Sequence, residues 1–290
     1  MTKFLVLDQN VLQRKKGPLP PLLAHGSLKF VLIDTALVEL VKPENWRATL
    51  RSGFRLVSKI SHRCYMSTSV DEAVKWEMRQ AKPARGMLLS RSFTEMLRTT
   101  IKQSQAPQLP VDIETRIAAV RDELKEHDLN AEAAKAEVLK WVQFLRTNLS
   151  TADQAVCKAP EVGRGARAVI AHRMGRPAYY AYAQKWGLSY SQAAKLRRQN
   201  CLTWRWISLR IHHALQWLGD GGIEGANPDT VLRDVLDQDY VLLGSSFDGV
   251  LSNEVGVNNA FEDLQWLTAT RKTIWPGRSK PGRRRQRRST

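Results

Sequence analysis

The sequence predicts an α/β protein that combines a parallel sheet with a large, mostly helical insertion. Three observations lead to this prediction. Short apolar runs of strand length lie near residue 5, near residue 31 and near residue 250. Helical patterns follow these runs and fill most of the chain between them. The chain of 290 residues is 43% hydrophobic, enough to bury a large core.

The first elements alternate between strands and helices. Residues 3–7 form an apolar run, and 30-FVLI-33 is the next one. Asp34 and Thr35 are typical helix-start residues, so we expect a helix over 36-ALVELV-41 that ends at Pro43. The segment 63–70 predicts a third strand and a Ser or Thr cap, before a helix from about Asp71.

Helices dominate the middle of the chain, and an α/β unit returns near its end. Apolar residues three and four apart predict helices over 87–101 and 113–149. Asn227 and Pro228 form an N-cap and N1 pair for a helix over 228–243. The segment 247–254 predicts a turn and a short strand, and 258–267 a closing helix.

These elements divide the chain into three parts. Residues 1–85 and 225–270 would form a discontinuous α/β core, and residues 86–224 a basic helical insertion. Residues 271–290 carry nine Lys or Arg and no acid, and we expect this tail to be disordered when free.

The net charge of +17 favours a polyanionic partner, above all nucleic acid. The charge is unevenly distributed. Residues 151–220 hold 11 Lys or Arg against 3 acids, whereas residues 221–270 hold 1 against 9. An acidic block therefore lies between two basic ones.

Cysteine usage and hydropathy indicate the compartment. Cys64, Cys157 and Cys201 lie far apart and match neither a metal-site spacing nor a disulfide framework, which fits a reducing environment. We find no secretion signal and no apolar stretch of membrane-spanning length. We expect a cytoplasmic protein that does not bind membranes.

Acidic residues follow or flank each predicted core element. Asp8 ends the first strand, Glu39 lies in the helix after the second, and Asp234 and Asp237 share one face of a late helix. Glu254 follows the last strand. Taken alone, Asp8 is better explained as a helix cap, and Glu39, Asp234 and Asp237 as solvated helix residues.

Four short segments in order resemble the motifs of the PIN-like nuclease superfamily. These segments are 8-DQN-10, 30-FVLIDTALVEL-40, 233-RDVLDQDY-240 and 250-VLSNE-254. They cover roughly residues 1–80 and 225–270. The chain departs from the pattern at Arg233, where the family often has Asn, and at Glu254, where Asp is commoner.

The resemblance implies a Rossmann-like fold and metal-dependent hydrolysis of phosphodiester bonds, with RNA as the preferred substrate. Asp8, Glu39 and Asp237 would be catalytic, and together with Asp234 and Glu254 would bind Mg²⁺ or Mn²⁺. Asp248 and Asp239 are the alternates. Asn10 and Ser252 would orient these ligands, although plain turn or strand-end roles would explain them equally.

The resemblance also implies a biological setting. Small nucleases of this kind are often toxins or parts of defence systems, so an inhibitory protein partner and a homo-oligomer are both expected at the family level.

Basic residues would bind the nucleic acid. The candidates in the insertion and the tail are Arg164, Arg167, Arg173, Lys195, Arg197, Arg198, Arg283, Arg284 and Arg285. The segment 179–199 also resembles a helix-turn-helix, with Gly187 at its turn. Two alternatives to an enzyme therefore stay open: a non-catalytic nucleic-acid binder that uses this segment and the tail, and a scaffold protein that keeps the fold without activity.

Overall fold

Five strands form one sheet in the computed structural model, which describes residues 2–13, 19–126, 130–159 and 163–268, without the side chains of 120, 122–126, 163 and 164. The strands are β1 (Lys3–Leu7), β2 (Leu28–Leu32), β3 (Cys64–Ser67), β4 (Leu89–Ser90) and β5 (Val250–Leu251). Their order is β4-β3-β2-β1-β5. All neighbouring strands are parallel except β3 and β4, which are antiparallel.

Helices make up most of the described chain. Those before residue 127 are α1 (Gln9–Gln13), α2 (Leu19–Leu22), α3 (Asp34–Val41), α4 (Trp46–Phe54), α5 (Val70–Gln80), α6 (Arg91–Gln103) and α7 (Val111–Glu126). Those after it are α8 (Ala131–Asn148), α9 (Thr151–Lys158), α10 (Gly163–Lys185), α11 (Tyr190–Arg198), α12 (Leu202–Gly219), α13 (Pro228–Gly244) and α14 (Val255–Thr268). Short 3-10 turns occur at Ser58–Arg63 and Ala84–Gly86.

The α/β prediction is confirmed, and most of the predicted elements appear close to their expected positions. Local signals explain this agreement. Ser69 accepts a hydrogen bond from the Glu72 N–H at the start of α5 (3.1 Å), and Asn227 accepts one from the Asp229 N–H at the start of α13 (2.9 Å). Both side chains satisfy N–H groups that a helix leaves unpaired.

The sheet is buried on both faces, as expected for parallel strands covered by helices. Leu7 of β1 points into a core shared with α1, α3 and α4. Val6 points the opposite way, into a core shared with α5, α13 and α14. The alternation along β1 therefore fixes which helices cover each face.

The boundary predicted at residue 85 does not coincide with the edge of the sheet. Within the segment 87–101, predicted as one helix, Leu89 and Ser90 pair with β3 instead. Ser90 then caps α6 by accepting a hydrogen bond from the Phe93 N–H (3.3 Å). A two-residue strand has too little pattern to be recognised within a helical sequence.

The helices of the insertion share a core with the sheet-covering helices. Met78 of α5, Val231 of α13 and Leu267 of α14 belong to the same buried cluster as residues of α8, α10, α11 and α12. In the described part of the chain, no helix is long and apolar enough to cross a bilayer.

Helix α12 is joined to α5 by a buried carboxylate. Glu77 is only 1% exposed. It accepts hydrogen bonds from the N–H groups of Ala84 (2.8 Å), Leu202 (2.9 Å) and Thr203 (2.8 Å), and from the Thr203 hydroxyl (2.8 Å). Cys201, the N-cap residue of α12, provides no side-chain cap. Glu77 therefore caps α12 from another helix, where the helix dipole also favours its negative charge.

We predict that Glu77→Gln lowers the free energy of unfolding by about 3 kcal/mol, because an amide replaces one acceptor oxygen with a donor that faces other donors. Urea unfolding followed by circular dichroism measures the effect. Exposed Glu72→Gln, on the same helix, is the matched control and should change stability by less than about 0.5 kcal/mol. Equal midpoints for the two variants would contradict the capping role.

Candidate functional site

Asp8 lies at the carboxyl end of β1 and is 3% exposed. Its backbone N–H donates to the Leu251 carbonyl of β5 (3.1 Å). The carboxylate accepts hydrogen bonds from the Asn10 amide (2.6 Å), the Asn10 backbone N–H (3.2 Å) and the Ser252 hydroxyl. Burial is the main cause that raises the pKa of Asp8. The carboxylate thus contacts the start of α1, as a cap would, and also contacts the neighbouring strand end.

Asn10 and Ser252 connect two distant parts of the chain beside Asp8. The Asn10 side-chain oxygen accepts the Asn253 N–H (3.1 Å), and the Ser252 hydroxyl oxygen accepts the Glu254 N–H (2.9 Å). Both side chains therefore fix the segment after β5 against the end of β1. This arrangement suits the orienting role that was predicted for them.

Glu39 and Asp237 face the same region from two helices. The Tyr240 hydroxyl donates to Glu39 (2.5 Å). Burial, followed by the negative charges of Asp8 and Glu254, raises the pKa of Glu39 to about 7. Burial, followed by Glu254, Asp8 and Glu39, raises the pKa of Asp237 to about 8. The charge of Glu254 acts on Asp8, Glu39 and Asp237, and the last two also feel the charge of Asp8, so these four side chains belong to one electrostatic cluster.

Glu254 and Asp234 lie at the margin of this cluster. Glu254 is exposed and directly precedes α14. Asp234 is the weakest of the charges that raise the pKa of Asp237. Its carboxylate is 42% exposed and lies 3.6 Å from Nε2 of His213. Asp234 therefore faces towards α12 as well as towards the cluster.

The two alternates, Asp248 and Asp239, point away from the cluster. Asp248 accepts the Phe4 N–H (2.7 Å) at the amino-terminal half of β1, away from the strand end where Asp8 lies. Asp239 accepts the Thr35 hydroxyl (3.1 Å). Two residues along an α-helix correspond to about 200°, so Asp239 and Asp237 point to different sides of α13.

Tyr240 belongs to the site, although the sequence analysis assigned it no role. It is fully buried, and its hydroxyl donates directly to a clustered carboxylate. The signal was present in the sequence, because Tyr240 is the last residue of the segment 233-RDVLDQDY-240.

The chemistry of the donor set fits a hard divalent cation, since all four clustered side chains supply carboxylate oxygens. A nearby positive charge would also reverse the upward pKa shifts of these acids. Among the described residues, however, no group of three or more His, Cys, Asp or Glu side chains is arranged to hold a metal ion as it stands.

A cleft of about 320 Å³ adjoins Asp234. It is lined by Arg167, His213, Gln216, Trp217, Asp220 and Asp234. A cationic and an aromatic side chain, Arg167 and Trp217, thus lie beside Asp234 at the margin of the cluster.

The remaining predicted nucleic-acid contacts are spread over α10 and α11. Arg173 is exposed but paired with Asp153 (2.5 Å). Lys195 and Arg198 are exposed on α11. Arg197 is half-buried, with its guanidinium 5.5 Å from the centre of the Trp204 ring. The side chains of Arg164, Arg283, Arg284 and Arg285 lie outside the described residues, as does the tail from residue 269.

The segment 179–199 adopts a helix-turn-helix conformation. Gly187 has φ of +79°, and the Leu188 N–H donates to the Ala183 carbonyl (3.1 Å), which closes α10. Ser189 begins α11 in a capping box with Gln192. The second helix thus starts at Tyr190, one residue before the predicted Ser191.

Comparisons with protein-family models, with curated proteins and with solved structures find no match for this chain.

We predict that Asp237→Asn makes the protein more stable than wild type at pH 8, by on the order of 2 kcal/mol. The pKa of Asp237 is raised on folding, so between pH 4 and 8 the folded protein keeps a proton on Asp237 that the unfolded chain has released. The free energy of unfolding of the wild type therefore falls as the pH rises through this range. Urea midpoints from pH 5 to pH 9 measure the difference.

The advantage of Asp237→Asn should grow with pH and level off above about pH 8. The matched control is Asp71→Asn, whose side chain is 68% exposed, and it should follow the wild-type pH profile. A constant difference between Asp237→Asn and wild type across this range would contradict the electrostatic cluster.

Proposed function

We propose that the protein is a PIN-like, metal-dependent endonuclease that acts on RNA. One observation carries this proposal: four carboxylates from four separate segments influence one another at the carboxyl edge of a mostly parallel sheet. This edge is where α/β folds place ligand sites. Buried acids with mutually raised pKa values, as at Glu39 and Asp237, are typical of functional sites.

Asp8, Glu39, Asp237 and Glu254 would hold Mg²⁺ or Mn²⁺, with Asp234 at the margin. When bound, such an ion lowers the pKa of a water molecule and stabilises the leaving oxygen of a phosphodiester. Asn10, Ser252 and Tyr240 would hold the carboxylates in place through the hydrogen bonds already described. Orienting contacts of this kind are normally important for ion affinity.

The raised pKa values identify the acids whose ionisation a bound cation would favour most. Without a cation, burial and the neighbouring carboxylates raise the pKa of Glu39 to about 7 and that of Asp237 to about 8. A divalent cation would stabilise their ionised forms, which are the forms that would hold it. Hydrolysis of the phosphodiester would leave one phosphate end and one hydroxyl end.

The charge distribution supports a polyanionic substrate. An acidic pocket alone repels phosphates, and the basic helices α10 and α11 supply the attraction that the pocket lacks. Arg167 in the cleft beside Asp234 is placed to contact a phosphate near the cluster. Three further parts of the proposal come from the family resemblance: the preference for RNA, the inhibitory partner and the homo-oligomer. The cytoplasmic location is proposed from cysteine usage and hydropathy.

We predict that Asp8→Asn reduces Mn²⁺-dependent RNA cleavage by more than about 100-fold, because even loss of an orienting partner typically costs 10-fold to 100-fold. Labelled RNA incubated with Mn²⁺ and resolved on a gel gives the rate. RNA retention in a chelator should be unchanged. Asp71→Asn is the control and should cleave at the wild-type rate. Undiminished cleavage by Asp8→Asn, or by wild type in excess chelator, would exclude the proposed mechanism.

We also predict that wild-type protein binds Mn²⁺ at pH 7 with release of protons, because the protonated acids of the cluster must ionise to bind it. Calorimetry in two buffers of different ionisation enthalpy measures the number of protons released. Asp237→Asn should bind at least about tenfold more weakly and release fewer protons. Binding without proton release would place the ion elsewhere.

A second function is favoured by a different observation. The helix-turn-helix conformation of 179–199 supports a non-catalytic nucleic-acid binder, which would retain duplex DNA without metal and lose it steeply with added salt. Incubation with Mn²⁺ and labelled RNA, single-stranded DNA and duplex DNA distinguishes the two functions, since only an enzyme converts retained substrate into shorter products.

A further inference from the structure

One long part of the insertion contains no acidic residue. Residues 162–219 hold ten Lys or Arg and no Asp or Glu. Helices α10, α11 and α12 all fall within this range. Positive charge of this density on packed helices attracts polyanions.

Five side chains of this range form one surface across α10 and α11. His172, Arg176 and Tyr180 follow each other at intervals of four residues, so they lie along one side of α10. Tyr190 and Arg197, seven residues apart, lie along one side of α11. His172 lies edge-on to the Trp204 ring (6.0 Å between ring centres), and the Arg197 guanidinium lies 5.5 Å from the centre of the same ring, so the two stripes adjoin.

Two tyrosines stack at the centre of this surface. The rings of Tyr180 and Tyr190 lie 4.6 Å apart with planes 20° from parallel. Nε of Arg197 donates a hydrogen bond to the Tyr180 hydroxyl (3.4 Å), and Arg176 lies near enough to the Tyr190 hydroxyl to interact with it electrostatically. A guanidinium group therefore lies beside each tyrosine hydroxyl.

Tyr190 is nevertheless 66% exposed. Tyr180 covers one face of its ring and Arg176 lies beside its hydroxyl, so the exposed area includes the other ring face. A large exposed aromatic ring with a fixed orientation and adjacent cations is suited to stack with a planar group that carries negative charge nearby.

We propose that Tyr190 is a stacking platform for an unpaired base of single-stranded nucleic acid, with Arg176 binding the adjacent phosphate. Bases within a duplex are already stacked on each other, so only an unpaired base can occupy the ring face. The surface formed by these two stripes is distinct from the carboxylate cluster. It requires neither metal nor hydrolysis, and its function can be measured in a chelator.

Binding of the full-length chain is measured by fluorescence anisotropy in EDTA with three probes of equal length, about twelve nucleotides. The probes are a single-stranded RNA, the same strand with abasic positions, and a duplex. Tyr190→Ala should weaken binding of the RNA about tenfold and leave the abasic strand and the duplex within about twofold. Tyr190→Phe keeps the ring and should bind like wild type.

Arg176→Ala should weaken binding of all three probes and reduce the slope of log affinity against log salt by about one. The matched controls lie on α6, on another part of the surface. Phe93→Ala removes an exposed ring, and Arg91→Ala removes a side chain that is 96% exposed. Both controls should bind all three probes like wild type.

Three results would overturn the proposal. The first is unchanged RNA binding by Tyr190→Ala. The second is an equal loss of affinity by Tyr190→Ala for all three probes, which would indicate general electrostatic attraction. The third is tighter wild-type binding of the duplex with a loss in Tyr190→Ala, which would indicate groove binding by the helix-turn-helix. Every measurement here is made in chelator, so a negative result does not bear on the nuclease proposal. Undiminished cleavage by Asp8→Asn would exclude the nuclease mechanism and would not bear on this surface.

Discussion

The hydrogen bonds of Glu77 fix the position of α12, and both candidate surfaces depend on that position. A buried carboxylate is costly unless its oxygens are paired, and here four donors satisfy it. Helix α12 packs against α5, α8, α9, α10, α13 and α14. The position of α12 therefore determines where α13 places Asp237 and where α10 places His172, Arg176 and Tyr180.

Polar contacts between α12 and α13 fix the position of α13, which bears Asp234 and Asp237, relative to α12. Arg210 donates to Gln238 (3.1 Å), and the Gln238 amide nitrogen lies 2.6 Å from Nδ1 of His213. Nε2 of His213 in turn lies beside Asp234. Burial is the main cause that lowers the pKa of His213, which favours the neutral ring in this network. The acidic edge and the basic helices are thus held together by paired polar groups rather than by apolar packing alone.

Local signals predicted most elements of the fold, and the resemblance to the PIN-like motifs predicted the four clustered acids. Patterns only a few residues long were enough to predict the helix that begins at Pro228 and the strand that precedes Asp8. Contacts between distant segments were missed, including the pairing of β4 and the cap that Glu77 provides to α12. Asp239 and Asp248 were poor alternates because helix phase and strand direction, rather than proximity in sequence, decide where a side chain points.

The carboxylate cluster is assembled from both ends of the described chain. Asp8 and Glu39 precede the helical insertion, whereas Asp237 and Glu254 follow it, and β5 joins the sheet beside β1. A chain emerging from the ribosome therefore carries only half of the cluster until the whole insertion has been translated. If the cluster cleaves RNA, this topology delays activity until the nascent polypeptide has moved well beyond the exit tunnel, which protects the message and the ribosome that are producing it.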